Sequence, residues 1–215
     1  MIQSVVFDFD GTLVLSNQLK HDGFFAIAEE FVNGPASMQA ILQDSPGDRS
    51  AILTRFAAVV DGGTDPTGLI DRYSQWCEER IVACPERPGA SIVLRQLREQ
   101  GLRIYVNSAT PLVPLLAVVN RRYPRNTFDG VYGGHGQKTQ NLQAIMAKEI
   151  ANRATIVLVG DGVDDYRASI EFGCGFVGVT GGTLDDGAHQ VRLLSNLEDL
   201  LALLTGTREG LVRPA

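Results

Sequence analysis

Five short apolar runs recur along the chain at 4–9, 102–106, 128–132, 155–159 and 175–179, each bounded by Gly, Asp or Asn. They show little polar alternation and are too short for helices, which is the pattern of parallel strands buried on both faces. Between them the apolar spacing becomes helical, over 88–100, 111–121, 137–150 and 164–172, with a last helix at 196–204. Strand alternating with helix predicts an α/β protein whose parallel sheet is sandwiched by helices through right-handed crossovers.

One stretch breaks this rhythm. Residues 15–85 contain no convincing strand. Phe24, Ile27, Ala28 and Phe31 fall at helical spacing, as do Ile52, Phe56, Val59 and Val60, and again Leu69, Tyr73, Trp76 and Cys77. Asn33-Gly34-Pro35, Asp44-Ser45-Pro46-Gly47 and Asp61-Gly62-Gly63 punctuate them as caps and turns. The pattern predicts a small all-helical domain of about four helices over 15–85, inserted into a core made of 1–14 and 86–215.

Composition narrows the class. An apolar content of 44% over 215 residues is ample for a packed core, and only 205–215 reads as a loose tail. With 19 basic and 25 acidic residues and no Lys/Arg cluster, nucleic acid is not an expected partner. No apolar run approaches a membrane span, and the N-terminus reads as a strand rather than a signal peptide. Cys77, Cys84 and Cys174 lack metal or redox spacing, so reduced thiols and a cytoplasmic location are expected. A monomer and a weak homodimer both fit.

In an open parallel sheet the ligand sits beyond the carboxyl ends of the strands, and here those ends carry chemistry. The first run leads into Asp8 and Asp10, which share one face of the chain roughly 7 Å apart. Capping a turn before Gly11 would explain one aspartate and not two. Two carboxylates placed together call for a divalent cation. The second run ends in Asn107-Ser108, and the fourth in Gly160-Asp161-Gly162-Val163-Asp164-Asp165. Lys138 stands in the first turn of a helix, where a cation opposes the helix dipole at a cost of roughly 0.3–1 kcal/mol. Its ammonium is expected to face an anion. Asp164, just before a helix, reads as a cap, and Thr110-Pro111 reads as N-cap and first helical residue.

Asp-Phe-Asp-Gly-Thr at 8–12, the strand ending in Asn107-Ser108, the isolated Lys138, and Gly160-Asp161 with Asp165 resemble the four motifs of the haloacid dehalogenase superfamily, in order and spacing. The helical insertion resembles that superfamily's C1-type cap. The resemblance implies a Rossmann-like core and a phosphoric monoester hydrolase. Asp8 would be the nucleophile that takes the phosphoryl group, and Asp10 the general acid/base. Mg²⁺ would be held by Asp8, the main-chain carbonyl of Asp10 and Asp161, with Asp165 as a further ligand or a brace. Ser108 and Lys138 would bind phosphoryl oxygens, Asn107 would orient the nucleophile or end the strand, and amides near Gly11, Thr12 and Ala109 would complete the cradle.

An aspartate two residues after the nucleophile resembles phosphatases and phosphomutases rather than dehalogenases, phosphonatases or ion pumps. The layout is similar to phosphoglycolate phosphatases and to β-phosphoglucomutase. The expectation is a Mg²⁺-dependent phosphatase acting on a small phosphorylated metabolite, with a mutase or a non-catalytic phosphometabolite-binding protein as rivals. Lys20 and Arg49 are candidate substrate contacts from the cap. Many C1-capped relatives carry an aspartate where this chain has Leu15, which leaves the substrate open.

Overall fold

The structure is a computed structural model that describes residues 1–44, 47–60, 63–186 and 191–205. Among these, six strands form one parallel sheet: β1 (Ser4–Phe7), β2 (Arg103–Ser108), β3 (Gly130–Gly133), β4 (Ile156–Gly160), β5 (Gly175–Val179) and β6 (Leu193–Leu194). Their order is β3-β2-β1-β4-β5-β6. Every residue of β1, β4 and β5 is buried, whereas all of β3, at the edge, is half-buried. Burial on both faces is why these runs show no polar alternation. The two residues of β6 are too few to carry a pattern, and the sequence reading did not anticipate that strand.

The chain divides into two compact units, residues 16–83 and the remainder. The first is wholly helical among its described residues: α1 (Asn17–Ala28), α2 (Gly34–Gln43), α3 (Arg49–Val60) and α4 (Pro66–Ile81). Asp65 opens α4 by accepting from the amides of Thr67 and Gly68 at 2.9 and 3.0 Å, and Pro66 supplies a preset φ. Leu69, Tyr73, Cys77 and Ile81, spaced by four, are its buried stripe. Phe24 stacks on Tyr73 with centroids 4.4 Å apart. Phe31 lies past the end of α1 and meets the edge of Phe56. The helical spacing seen from Phe24 to Phe31 therefore spans a helix and the turn after it. Asn33-Gly34-Pro35 does open α2, whereas Ser45, Pro46, Asp61 and Gly62 lie outside the described residues, as does the tail expected over 205–215 apart from Thr205, which is the last residue of a helix.

The sheet-bearing unit adds α5 (Ala90–Glu99), α6 (Leu112–Arg122), α7 (Lys138–Glu149), α8 (Val163–Phe172) and α9 (Asp199–Thr205). Gly89 takes φ 81° and keeps Pro88 and itself out of α5. One part of the core packs Val6, Tyr105, Leu142, Ile145, Leu158, Phe172 and Phe176 between β-strands and α7–α8. Full burial of each such side chain contributes about 1.5–3 kcal/mol. The chain leaving β1 and the chain returning at 85–87 form a short antiparallel ladder. Leu15 N–H donates to Pro85 O at 2.9 Å, and Arg87 N–H to Leu13 O at 3.0 Å. Cys77, Cys84 and Cys174 are not joined in disulfides. Among the described residues no helix is long and apolar enough to cross a membrane.

Candidate active site

β1 ends at Phe7, and the amide of Asp8 donates to Val159 O at 2.8 Å, which carries the sheet pairing one residue further. The chain then folds back on itself. Gly11 adopts φ 80°, and the amides of Leu13 and Val14 both donate to Phe9 O, at 3.0 and 3.1 Å. Gly11's own amide, expected in the anion cradle, donates instead to Val14 O at 2.7 Å. Phe9, Leu13 and Val14 are buried, so this loop anchors itself in the core. The Thr12 hydroxyl, fully buried, donates to Asp161 Oδ1 at 3.1 Å.

Lys138 is the first residue of α7, and its ammonium lies 3.2 Å from Asp8 Oδ1, 2.8 Å from Asp164 Oδ2 and 2.5 Å from Asp165 Oδ1. Asn107, at the end of β2, fixes that helix. Its Nδ2 donates to Lys138 O at 2.9 Å, and its Oδ1 accepts from Asn141 Nδ2 at 2.9 Å. Both polar ends of the Asn107 side chain thus engage α7.

The electrostatics of this cluster are unbalanced. Burial pushes the Asp8 carboxyl well above the usual carboxylate range; Lys138 pulls it down, while Asp165, Asp161 and Asp10 push it further up. Burial likewise lifts Asp165 to about 7, against the pull of Lys138. Burial works against the Lys138 ammonium too, yet Asp8, Asp165 and Asp164 hold its pKa well above the ordinary lysine value. A folded chain that crowds carboxylates so that they resist ionisation has a place for a cation. Asp8, Asp161 and Asp165 each offer a carboxylate oxygen, and the three oxygens lie within 4.8 Å of one another. An all-oxygen set of this kind fits a hard cation such as Mg²⁺. The Asp10 carboxylate stands apart from that trio and accepts from Thr110 Oγ1 at 3.0 Å.

Two local readings require correction. Thr110 is not the N-cap of α6. That position is Pro111, in an extended conformation, and the Thr110 hydroxyl goes to Asp10. Asp164 does not cap α8, whose N-cap is Gly162; it lies in the first turn and pairs with Lys138. Despite desolvation, that ammonium and nearby amides hold Asp164 below the usual carboxylate range. Asp165 reaches back to the Gly162 amide at 3.2 Å. Ser108 is buried and accepts from the Thr110 amide at 3.1 Å, with Ala109 in the turn between them. Lys20 and Arg49 belong to the helical unit, both half-buried, on α1 and at the start of α3.

Sequence reasoning missed Arg87. It is buried, and its guanidinium donates to the carbonyls of Gly11, Thr12 and Thr180.

Comparison with known proteins gives this geometry a context. Residues 2–173 match the model of the haloacid dehalogenase-like hydrolases. A phosphoglycolate phosphatase of Synechococcus elongatus is 28% identical over 189 residues, 86% of each chain. Another, from Rhodobacter capsulatus, is 25% identical over 194 residues, covering 85% of this chain and 86% of the relative. In fold the chain is similar to CbbY from Rhodobacter sphaeroides in complex with phosphate. That likeness has a TM-score of 0.71 at 20% identity, over 93% of this chain and 96% of that one. The chain belongs to the haloacid dehalogenase-like hydrolase family.

Proposed function

We propose that this hydrolase is a Mg²⁺-dependent phosphatase acting on a small phosphorylated metabolite through an aspartyl-phosphate on Asp8. The carrying observation is that Asp8, Asp161 and Asp165 lie together with the Lys138 ammonium beyond the carboxyl ends of β1 and β4. Asp8, Asp161 and the Asp10 carbonyl would hold Mg²⁺, with Asp165 as a further ligand or a brace; the bound ion supplies positive charge that lets these carboxylates and a phosphoryl group approach.

The protein's own groups then divide the work. An Asp8 carboxylate oxygen attacks phosphorus, the bond to the leaving oxygen breaks, and the phosphoryl group passes to Asp8. Lys138 offsets charge on the phosphoryl oxygens, and the Ser108 hydroxyl with amides near Ala109 binds them. Asp10 protonates the leaving oxygen and then takes a proton from the water that hydrolyses the acyl phosphate. Donation from Thr110 to Asp10 Oδ2 favours placing the transferable proton on the other oxygen. Asn107 acts through α7 by holding Lys138 in place. Because both relatives named above are phosphoglycolate phosphatases, 2-phosphoglycolate is the first substrate to try.

The test is a panel of small phosphate esters with Mg²⁺, including 2-phosphoglycolate, hexose 1-phosphates and a generic aryl phosphate. Mg²⁺-dependent release of inorganic phosphate is expected, reduced by roughly 10²–10⁴-fold in Asp10→Asn. Isomerised hexose phosphate in place of free phosphate would make the enzyme a mutase. Ligand binding without turnover across the whole panel would make it a binding protein.

A further inference from the structure

We propose that Arg87 is a positioning residue for the Asp161 end of the site: its guanidinium ties the loop carrying Thr12 to the loop that packs on Asp161, and so sets where that carboxylate stands. The inference rests on reading Asp161 as a Mg²⁺ ligand.

Arg87 is 4% exposed and belongs to the returning pass of the ladder, its own amide bonded to Leu13 O. Nε donates to Thr12 O at 2.9 Å, and Nη2 donates to Gly11 O and, at 2.7 Å, to Thr180 O. A buried guanidinium is expensive to desolvate, so its contacts have to be good ones. The planar fork points donors in two directions at once, toward the loop after β1 and the loop after β5; a lysine ammonium has no such fixed fork.

Both of those loops touch Asp161. From one side the Thr12 hydroxyl donates to Asp161 Oδ1 at 3.1 Å. From the other, Thr180 leads to Gly182 and Leu184. The Leu184 amide donates to Asp161 O at 3.2 Å. Gly182 packs so tightly that a Cβ there would stand 2.3 Å from Asp161 Oδ2. Thr180 is itself anchored, its amide bonded to Leu194 O at 3.1 Å. Asp161 is thus braced on two sides by segments that one side chain joins.

Calorimetric titration of the whole chain with Mg²⁺, without substrate, tests this directly. Arg87→Lys keeps the charge and is the main variant; Arg87→Met is the stronger one, and circular dichroism reports whether each is folded. Arg87→Lys is expected to bind Mg²⁺ roughly 10–100-fold more weakly, with turnover largely recovered at saturating ion. Thr12→Val is expected to show a defect of the same kind. The double variant Arg87→Lys/Thr12→Val is expected to bind more tightly than the product of the two single effects predicts, because both variants act on the Thr12 side of Asp161.

Wild-type affinity in folded Arg87→Lys overturns the proposal, and so does multiplication of the two single effects in the double variant. Failure of the phosphatase reading shows separately, as a wild-type chain that binds Mg²⁺ and hydrolyses no ester. The Arg87 inference then stands or falls on the titration alone. A wild-type chain that binds no Mg²⁺ overturns both.

Discussion

The two ends of the sheet use the same residue types to opposite effect. At the amino end, Asp129 accepts from the Ile104 amide at 2.8 Å and from Arg98 and Arg103 at 3.1 Å each. Glu149 pairs with Arg103 at 3.5 Å and accepts from the Tyr105 hydroxyl, while Lys148 donates to Asp129 O at 2.6 Å. Two carboxylates there meet two arginines, with Lys148 on the Asp129 carbonyl beside them. At the carboxyl end Lys138 touches three of the five aspartates gathered around it. The shifts follow: desolvation works against ionised Asp129, yet the Ile104 amide and Arg98 hold it below the usual carboxylate range, whereas burial leaves Asp8 and Asp165 above it. Helix α7 spans both ends with Lys138 first and Glu149 last, each opposing the helix dipole. The amino end compensates its misplaced charge with neighbours. The carboxyl end keeps an excess of negative charge, which is useful to a site that binds a cation and a liability to a site that does not.

The largest expected effect comes from removing the central carboxylate. Asp8→Asn is expected to reduce phosphate release by on the order of 10⁴-fold or more, since no covalent intermediate can form. In metal-free buffer at neutral pH the same change is expected to raise Tm, because it deletes a charge that burial and the nearby aspartates disfavour more than Lys138 favours it. Mg²⁺ at about 100 times its Kd is expected to stabilise the wild type by about 2.7 kcal/mol, and the variant to gain less. Thermal melts of both proteins with and without MgCl₂ measure all four states. A metal-free Asp8→Asn that melts below the wild type would erase the contrast between the two ends.

How much of this was legible in the sequence depended on how far apart the partners lie. Asp8, Asp10, Lys138 and Asp161 were readable because each closes a strand or opens a helix, and topology brings such ends together. Thr110 and Asp164 were misread because a local rule accounted for each so well. A threonine before a proline and an aspartate near a helix start satisfy capping patterns, and only the tertiary fold reveals Asp10 and Lys138 as their partners. Arg87 was invisible for a different reason. Its partners are main-chain carbonyls 75 and 93 residues away, and carbonyls leave no trace in side-chain identity. The helical unit was legible as spacing. Only Phe31, past the end of α1, shows where that spacing overran the helix.

At the amino end the expected effect is on stability alone. Asp129→Asn removes charge-assisted hydrogen bonds and is expected to cost about 1–3 kcal/mol at neutral pH, or roughly 2–4 °C of Tm per kcal/mol for a chain of this size. Mg²⁺-dependent turnover is expected to stay at the wild-type level. The sign of the pH dependence follows from the depressed pKa. The stabilisation is fully present above the unfolded value of about 3.9 and is lost as pH falls through the folded value. The gap in Tm between wild type and variant should therefore close below about pH 4. A gap that persists there would assign the loss to packing, and a fall in turnover would tie the two ends together.

The smallest effect tests how finely the carboxyl end is tuned. Thr110→Val keeps the volume and removes the donor to Asp10 Oδ2. A single hydrogen bond of this kind contributes about 0.5–1.5 kcal/mol net, which corresponds to a roughly 2–10-fold loss in kcat. Asp10 then loses a donor that favours its ionised form, so the limb of the pH–rate profile that reports it should move upward. Mg²⁺ affinity should hold, because Asp10's carboxylate stands outside the Asp8, Asp161 and Asp165 trio. Thr110→Ser, which restores the hydroxyl, should return both kcat and the profile. A Thr110→Val enzyme with reduced Mg²⁺ affinity and an unmoved profile would instead make Thr110 part of the cation end, and the division of labour between the aspartates would have to be redrawn.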